Sequence, residues 1–165
     1  MTKLLEVSPK VIDAEQDETI RVPVNYDWTV EEAALAGNYK SIHADVNSRN
    51  FPRIGKGIVE RDLVVVHLGV DTDIEVMNAK LKDRNRKHAT IWELLALGER
   101  FPEKQCDFII RAYGSVCQGD MYVHEKRVKA PMSPGLGTNA GDRYVSLSWA
   151  EAKVSHHIRI LVLAA

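Results

Sequence analysis

Leu63-Val64-Val65-Val66-His67-Leu68-Gly69-Val70 is the stretch whose reading decides the fold. Three consecutive β-branched valines favour a strand over a helix. The apolar positions run on without alternating, which is the mark of a strand covered on both faces and therefore central in its sheet. A central strand needs neighbours on both sides, and the chain offers them before and after it. Upstream, Thr19 to Val24 alternates as a strand, and Pro23 inside it removes a ladder donor, so that strand belongs at an edge. Downstream, Cys106–Cys117, Met121–Ala130, Arg143–Trp149 and His157–Leu163 read as four strands. Gln118-Gly119-Asp120 and the longer Pro131–Gly141 segment read as the loops between them.

Helices are announced by one repeated signal, a Thr with Glu three residues later. It occurs at Thr29/Glu32, Thr72/Glu75 and Thr90/Glu93. Each pair can satisfy two orphan backbone donors reciprocally, which marks a helix start. The helices follow as Val30 to Ala36, stopped by Gly37, then Thr72 to about Lys82, and Ile91 to Arg100, stopped by Pro102. The third is apolar on most sides, which predicts deep packing. Helices early and strands late give an α+β fold with a mixed, largely antiparallel sheet, three short helices and a C-terminal four-strand meander.

At 165 residues the chain fits a single domain, with positions 1–17 expected to form a loosely ordered arm. A net charge of −1 argues against a dedicated nucleic-acid binder. No apolar window reaches the roughly 18–20 residues that cross a bilayer, and the start lacks a secretory leader. The expected compartment is the cytoplasm. Cys106 and Cys117, placed on one continuous strand, would stand roughly 35 Å apart, far beyond disulfide reach. No Cys-x-x-Cys pair suggests zinc.

The C-terminal half contains Ile91-Trp92-Glu93-Leu94-Leu95, Ala112-Tyr113-Gly114-Ser115, Tyr144-Val145-Ser146-Leu147-Ser148-Trp149 and Arg159-Ile160-Leu161-Val162-Leu163 in that order, with Asn50-Phe51-Pro52 upstream. In this order it resembles small bacterial or phage-associated proteins that remain uncharacterised. The resemblance implies no activity and carries over no catalytic residue.

Three clusters of side chains are candidates for chemistry. His67 with Asp71 and Asp73, at the end of the central strand, could hold a hard divalent cation. The competing reading makes the two acids helix-start residues and His67 a satisfied core histidine. His43 and Asp45, with Asn47, Arg49 and Asn50, lie in the polar stretch from Asn38 to Gly57, long enough to be a functional loop. Such a loop can bring a general base to a site built elsewhere, or it can simply be turns made by Asn and Asp. Lys80, Lys82, Arg84, Arg86 and Lys87 form a basic run that could meet phosphate, joined in space by Lys126, Arg127 and Lys129. A run at a helix end is also an ordinary solvated face. His156-His157, read as opening the last strand, would point to opposite faces and chelate poorly.

Familiar catalytic fingerprints are missing. Gly135-Leu136-Gly137 precedes a strand and not a helix, Gly114-Ser115 lacks a nucleophile elbow, and there is no Walker lysine. No cofactor is expected. The reading is a non-catalytic binding module whose partner is another protein or a second copy, with no membrane role. The alternatives are a small metal-dependent hydrolase using His67, Asp71, Asp73 and the His43 loop, and a nucleic-acid accessory protein using the 80–88 run.

Overall fold

A computed structural model describes residues 18–150 and 153–164; the expected N-terminal arm lies outside the described residues. In chain order the elements are β1 (Thr19–Asn25), α1 (Val30–Ala36), β2 (Ser41–Ile42), β3 (Ile58–His67), α2 (Ile74–Asp83), β4 (Lys87–His88), α3 (Ile91–Arg100), α4 (Lys104–Asp107), β5 (Ile109–Arg111), β6 (Cys117–Val123), β7 (Lys126–Asn139), β8 (Asp142–Trp149) and β9 (Ile158–Leu163). The strands form one sheet in the order β1-β3-β9-β5-β7-β8-β2, with β4 also on β9 and β6 also on β7. Pairing is antiparallel except for β2 with β8 and β5 with β9. The fold is α+β, as the sequence predicts.

The 63–66 stretch is covered on both faces. Leu63 joins a core formed with α1 and α3, while Val64 and Val66 join a second cluster with Met77 and Leu81 of α2. The strand itself begins earlier, at Ile58, and ends at His67. Residues 58–62 pair with β1 alone, Leu63 and Val64 with both β1 and β9, and 65–67 with β9 alone, so the buried run begins at Leu63, where β9 joins. Pro23 sits on the edge strand, as its missing donor requires.

Two of the three helix starts form as the Thr/Glu spacing dictates. Thr29 Oγ1 accepts from Glu32 N at 3.2 Å, and Thr90 and Glu93 cap each other reciprocally. The third does not. Thr72 is buried, its backbone pairs with Val154 in both directions at 2.9 Å, and its hydroxyl donates to Val70 O. With Thr72 recruited into a bridge, Asp73 becomes the cap residue and α2 starts at Ile74.

The late strands depart further from expectation. Cys106 lies in the extra helical turn α4, not in a strand, because Gln105 of that turn is buried and anchored. Its amide donates to Gly137 O at 2.7 Å and to Tyr144 O at 3.3 Å, and its oxygen accepts from Arg143 Nε at 3.1 Å. The segments expected as loops, 118–120 and 131–139, are strand. The reversals fall at His124-Glu125 (φ 49° and 64°) and Ala140-Gly141 (φ 50° and 86°), the paired positive values of a tight hairpin turn. Only β6, β7 and β8 form a meander; β9 leaves it and inserts between β3 and β5. Met132 pairs with both Cys117 and Trp149, and Leu136 with both Ile110 and Val145. Thus β5 and β6 share one edge of β7, with residues 113–116 bulging between them. That bulge docks on α3: Ser115 Oγ accepts from Ile91 N at 2.9 Å, and Gly114 N donates to Ala89 O at 2.9 Å.

Arg143 locks the helical layer to the sheet. Its Nη1 donates to Gly37 O at 2.8 Å and its Nη2 to Gly98 O at 2.6 Å. These carbonyls lie at the C-terminal ends of α1 and α3, where a cation is electrostatically favoured. Tyr39 stacks on the same guanidinium, 4.5 Å from Cζ to ring centroid.

Candidate functional site

The polar stretch between β2 and β3 is built rather than slack. Val46 and Phe51 are buried in the main core and fix both its sides. Between them, Asn47 accepts from Asn50 N and donates to Ala44 O, both at 3.1 Å, and Asn50 Nδ2 donates to Asp45 O at 2.8 Å. His43 Nδ1 accepts from Asp45 N at 3.1 Å. Glu31 of α1 takes hydrogen bonds from the Ser48 amide and hydroxyl, and the Ser48 hydroxyl holds its carboxyl below the usual range. These are the Asx-type turns that the residue types favour, here holding one conformation.

That conformation places Asp45, Asn47, Arg49 and Asn50 along one wall of a groove of about 340 Å³. The other wall is the β6–β7 hairpin, with Gln118, Asp120, Arg127 and Lys129. Asp120 is bonded by Arg127 Nη2 and by Lys129 Nζ, the latter at 2.8 Å. Those two cations, Arg127 foremost, bring its carboxyl down to about 2. Arg49 is exposed and has no ion-pair partner among the described residues. The groove therefore presents one committed cluster and one uncommitted cation.

The two acid–base candidates do not meet. His43 and Asp45 follow β2 at one margin of the sheet, while His67 ends β3, five strand positions away. β9, β5, β7 and β8 lie between them in the sheet order. His67 Nε2 is hydrogen-bonded to His156 O at 2.9 Å. Asp71 Oδ1 accepts from His156 N at 2.9 Å and Nδ1 at 2.8 Å, and the backbone bond is the larger cause of its lowered pKa. Asp73 stands 3.9 Å from Lys153. These contacts tie the turn after β3 to the segment entering β9. His156 and His157 lie in a turn before β9, not in the strand, with ring centroids 3.7 Å apart and planes tilted by 44°. Among the described residues no group of three or more His, Cys, Asp or Glu is placed to hold a metal ion.

The basic run divides. Lys80 and Lys82 lie on the last turn of α2 and Arg84 caps it; Asn85 (φ 55°) then reverses the chain. Lys82, Arg86 and Lys87 line a second groove, of about 400 Å³, with His88. Arg127 and Lys129 line the other groove. A third cavity, between Trp28, Trp92 and the end of β1, holds about 160 Å³, below the size of ordinary small-molecule sites. Among the described residues no helix is long and apolar enough to cross a membrane.

Gln118 and Asp120 read as turn residues in the sequence, and nothing local to them signals a groove wall. The exchange of charge between Asp120 and Lys129 follows from hairpin register, which a two-residue turn without Asn-Gly conceals. No protein-family model matches the chain, and no curated protein or solved structure matches it either.

Proposed function

We propose that the chain is a non-catalytic binding module that works in the cytoplasm and engages another protein or a second copy of itself. The observation that supports this best is the preformed polar groove between the 43–50 loop and the β6–β7 hairpin. Its wall is fixed by internal hydrogen bonds, so little ordering entropy is lost on binding. Asp120 is already neutralised by Arg127 and Lys129, which leaves Arg49 to receive an acidic side chain from the partner. The candidate bases, by contrast, are dispersed across the sheet and engaged in hydrogen bonds. Cys106, exposed, and Cys117, buried, are both free thiols, which suits a reducing compartment.

The test is an Arg49→Glu variant. It is expected to unfold at the wild-type temperature and to lose the association that the wild-type chain shows, either in sedimentation velocity or with a purified partner. Substrate turnover by the wild-type chain that disappears in His43→Ala or His67→Ala would overturn the proposal.

A second reading rests on the groove of Lys82, Arg86, Lys87 and His88, which gathers basic side chains at one helix end. Binding of nucleic acid there would weaken steeply with salt, by counterion release. A flat salt dependence, or no binding, would remove it.

A further inference from the structure

Two arginines are drawn into the sheet, and the protein treats them differently. Arg143 has every nitrogen bonded, to Gln105, Gly37 and Gly98. Arg111 on β5 is 5% exposed, and all its hydrogen bonds run through Nη2, to Ser133 O, Ser133 Oγ and Ser148 O. Its Nε is buried without a partner. No carboxylate pairs with it among the described residues. A buried guanidinium left without an anion is among the costliest placements in a protein interior.

The surroundings of Arg111 supply more donors. The Tyr113 ring stacks on the guanidinium, 4.9 Å from Cζ to centroid, and its hydroxyl is buried and unpartnered. The register places Arg111 opposite Gly135, Gly135 opposite Ser146, and Ser133 opposite Ser148. Cross-strand partners face the same side, as do residues two apart on one strand. Arg111, Ser133, Ser146 and Ser148 therefore share one face. A β-carbon on Gly135 would stand 3.3 Å from both Arg111 Cγ and Ser146 Oγ, so the arginine and the serine close in over this bare position.

We infer that this face is a phosphate-binding site, separate from the polar groove and sharing no residue with it. Arg111 receives the anion through the nitrogens that the protein leaves unbonded, and the hydroxyls of Tyr113 and Ser148 complete the set; the Ser146 hydroxyl is spent on Gly135 O, to which it donates at 3.4 Å. A carboxylate offers two oxygens in one plane. Donors here come from a guanidinium edge and from hydroxyls on two further segments, which suits a tetrahedral oxyanion. The group arrives as free phosphate or on a nucleoside monophosphate.

The experiment titrates the wild-type chain with inorganic phosphate against chloride at constant ionic strength, with adenosine monophosphate in a parallel arm. Thermal unfolding and the Arg111 Nε resonance are followed together. Phosphate is expected to raise the unfolding temperature saturably and to shift that resonance; the tighter of the two ligands identifies the source. Ser148→Glu places a carboxylate on the same face, at an exposed position. It is expected to unfold at a higher temperature in chloride and to bind phosphate about tenfold more weakly, or worse. Tyr113→Phe removes one buried, unpartnered hydroxyl and is expected to weaken phosphate binding several-fold while unfolding in chloride at or above the wild-type temperature. A wild-type chain indifferent to phosphate, or variants that bind it as tightly as wild type does, would overturn the inference.

Discussion

Tyr39 lies so close against Gly98 that a β-carbon at position 98 would stand 2.0 Å from its hydroxyl oxygen and 2.9 Å from Leu136 Cδ1. Tyr39 has no room to withdraw. Its hydroxyl donates to Leu95 O at 3.1 Å, and its ring is held against Arg143. Glycine inside a helix is intrinsically unfavourable, so its presence in α3 is explained by this contact. Gly98→Ala is expected to destabilise the fold by about 1–3 kcal/mol through overpacking, in spite of the better helix propensity of alanine. Urea denaturation measures it, and an unchanged or raised midpoint would show that Tyr39 can move.

Ser115 caps a helix from outside it. Its hydroxyl accepts from Ile91 N, the first amide of α3, while Thr90 and Glu93 serve the neighbouring positions. Ser115→Ala leaves that amide without a partner and is expected to cost about 1 kcal/mol. The change should appear in the unfolding free energy, and α3 amides should exchange faster with solvent.

Pro23 guards an edge. Tyr26 N donates to Gly57 O at 2.9 Å, so by alternation the amides of Thr19, Arg21 and Asn25 face away from β3. Position 23 would face the same way, and proline has no donor there. Pro23→Thr restores the donor and is expected to leave stability nearly unchanged while promoting concentration-dependent association through β1. Sedimentation velocity at several loadings decides it; a strictly monomeric variant would show that another feature protects the edge.

His88 makes stability depend on pH. Burial holds its imidazole below the ordinary value of 6.5, so the unfolded chain takes up the proton first. Stability is complete above about pH 6.5 and falls as pH drops toward the lower folded value, below which no further loss arises from this group. His88→Gln is expected to flatten that slope, retaining a side chain able to bond Asn78 as His88 Nε2 does at 2.7 Å. Parallel unfolding curves between pH 7 and 5 for the two proteins would exclude His88 as the cause.

What the sequence discloses is what is encoded locally. The valine run, the edge proline and the Thr29/Glu32 and Thr90/Glu93 pairs act within a turn or a strand, and each gives its element correctly. Thr72 has the same local signal, but a bridge to Val154, more than eighty positions away, takes precedence. Pro131, Pro134, Gly135 and Gly137 look like a loop because such residues usually break strands. Here Gly135 and Gly137 are dictated by neighbours across the sheet, Arg111 and Ser146 for one and Tyr144 for the other. His124-Glu125 turns the chain without Asn or Gly, so the register it sets is invisible beforehand. The groove shares that obscurity: its loop wall, Asp45 to Asn50, stands out by composition, whereas Gln118 and Asp120 join it only through pairing.

The insertion of β9 between β3 and β5 has a consequence for synthesis. Strands β1 and β3 on one side, and β5, β7 and β8 on the other, are bridged within the sheet by β9, the last of these strands to leave the ribosome. Between the appearance of Arg111 and that of Ile158 the ribosome adds nearly fifty residues, on the order of 2–10 s at ordinary elongation rates. Throughout that interval β3 and β5 each present an open ladder that no earlier segment fills along its whole length. The nascent protein thus carries two unmatched seams until β9 closes both at once.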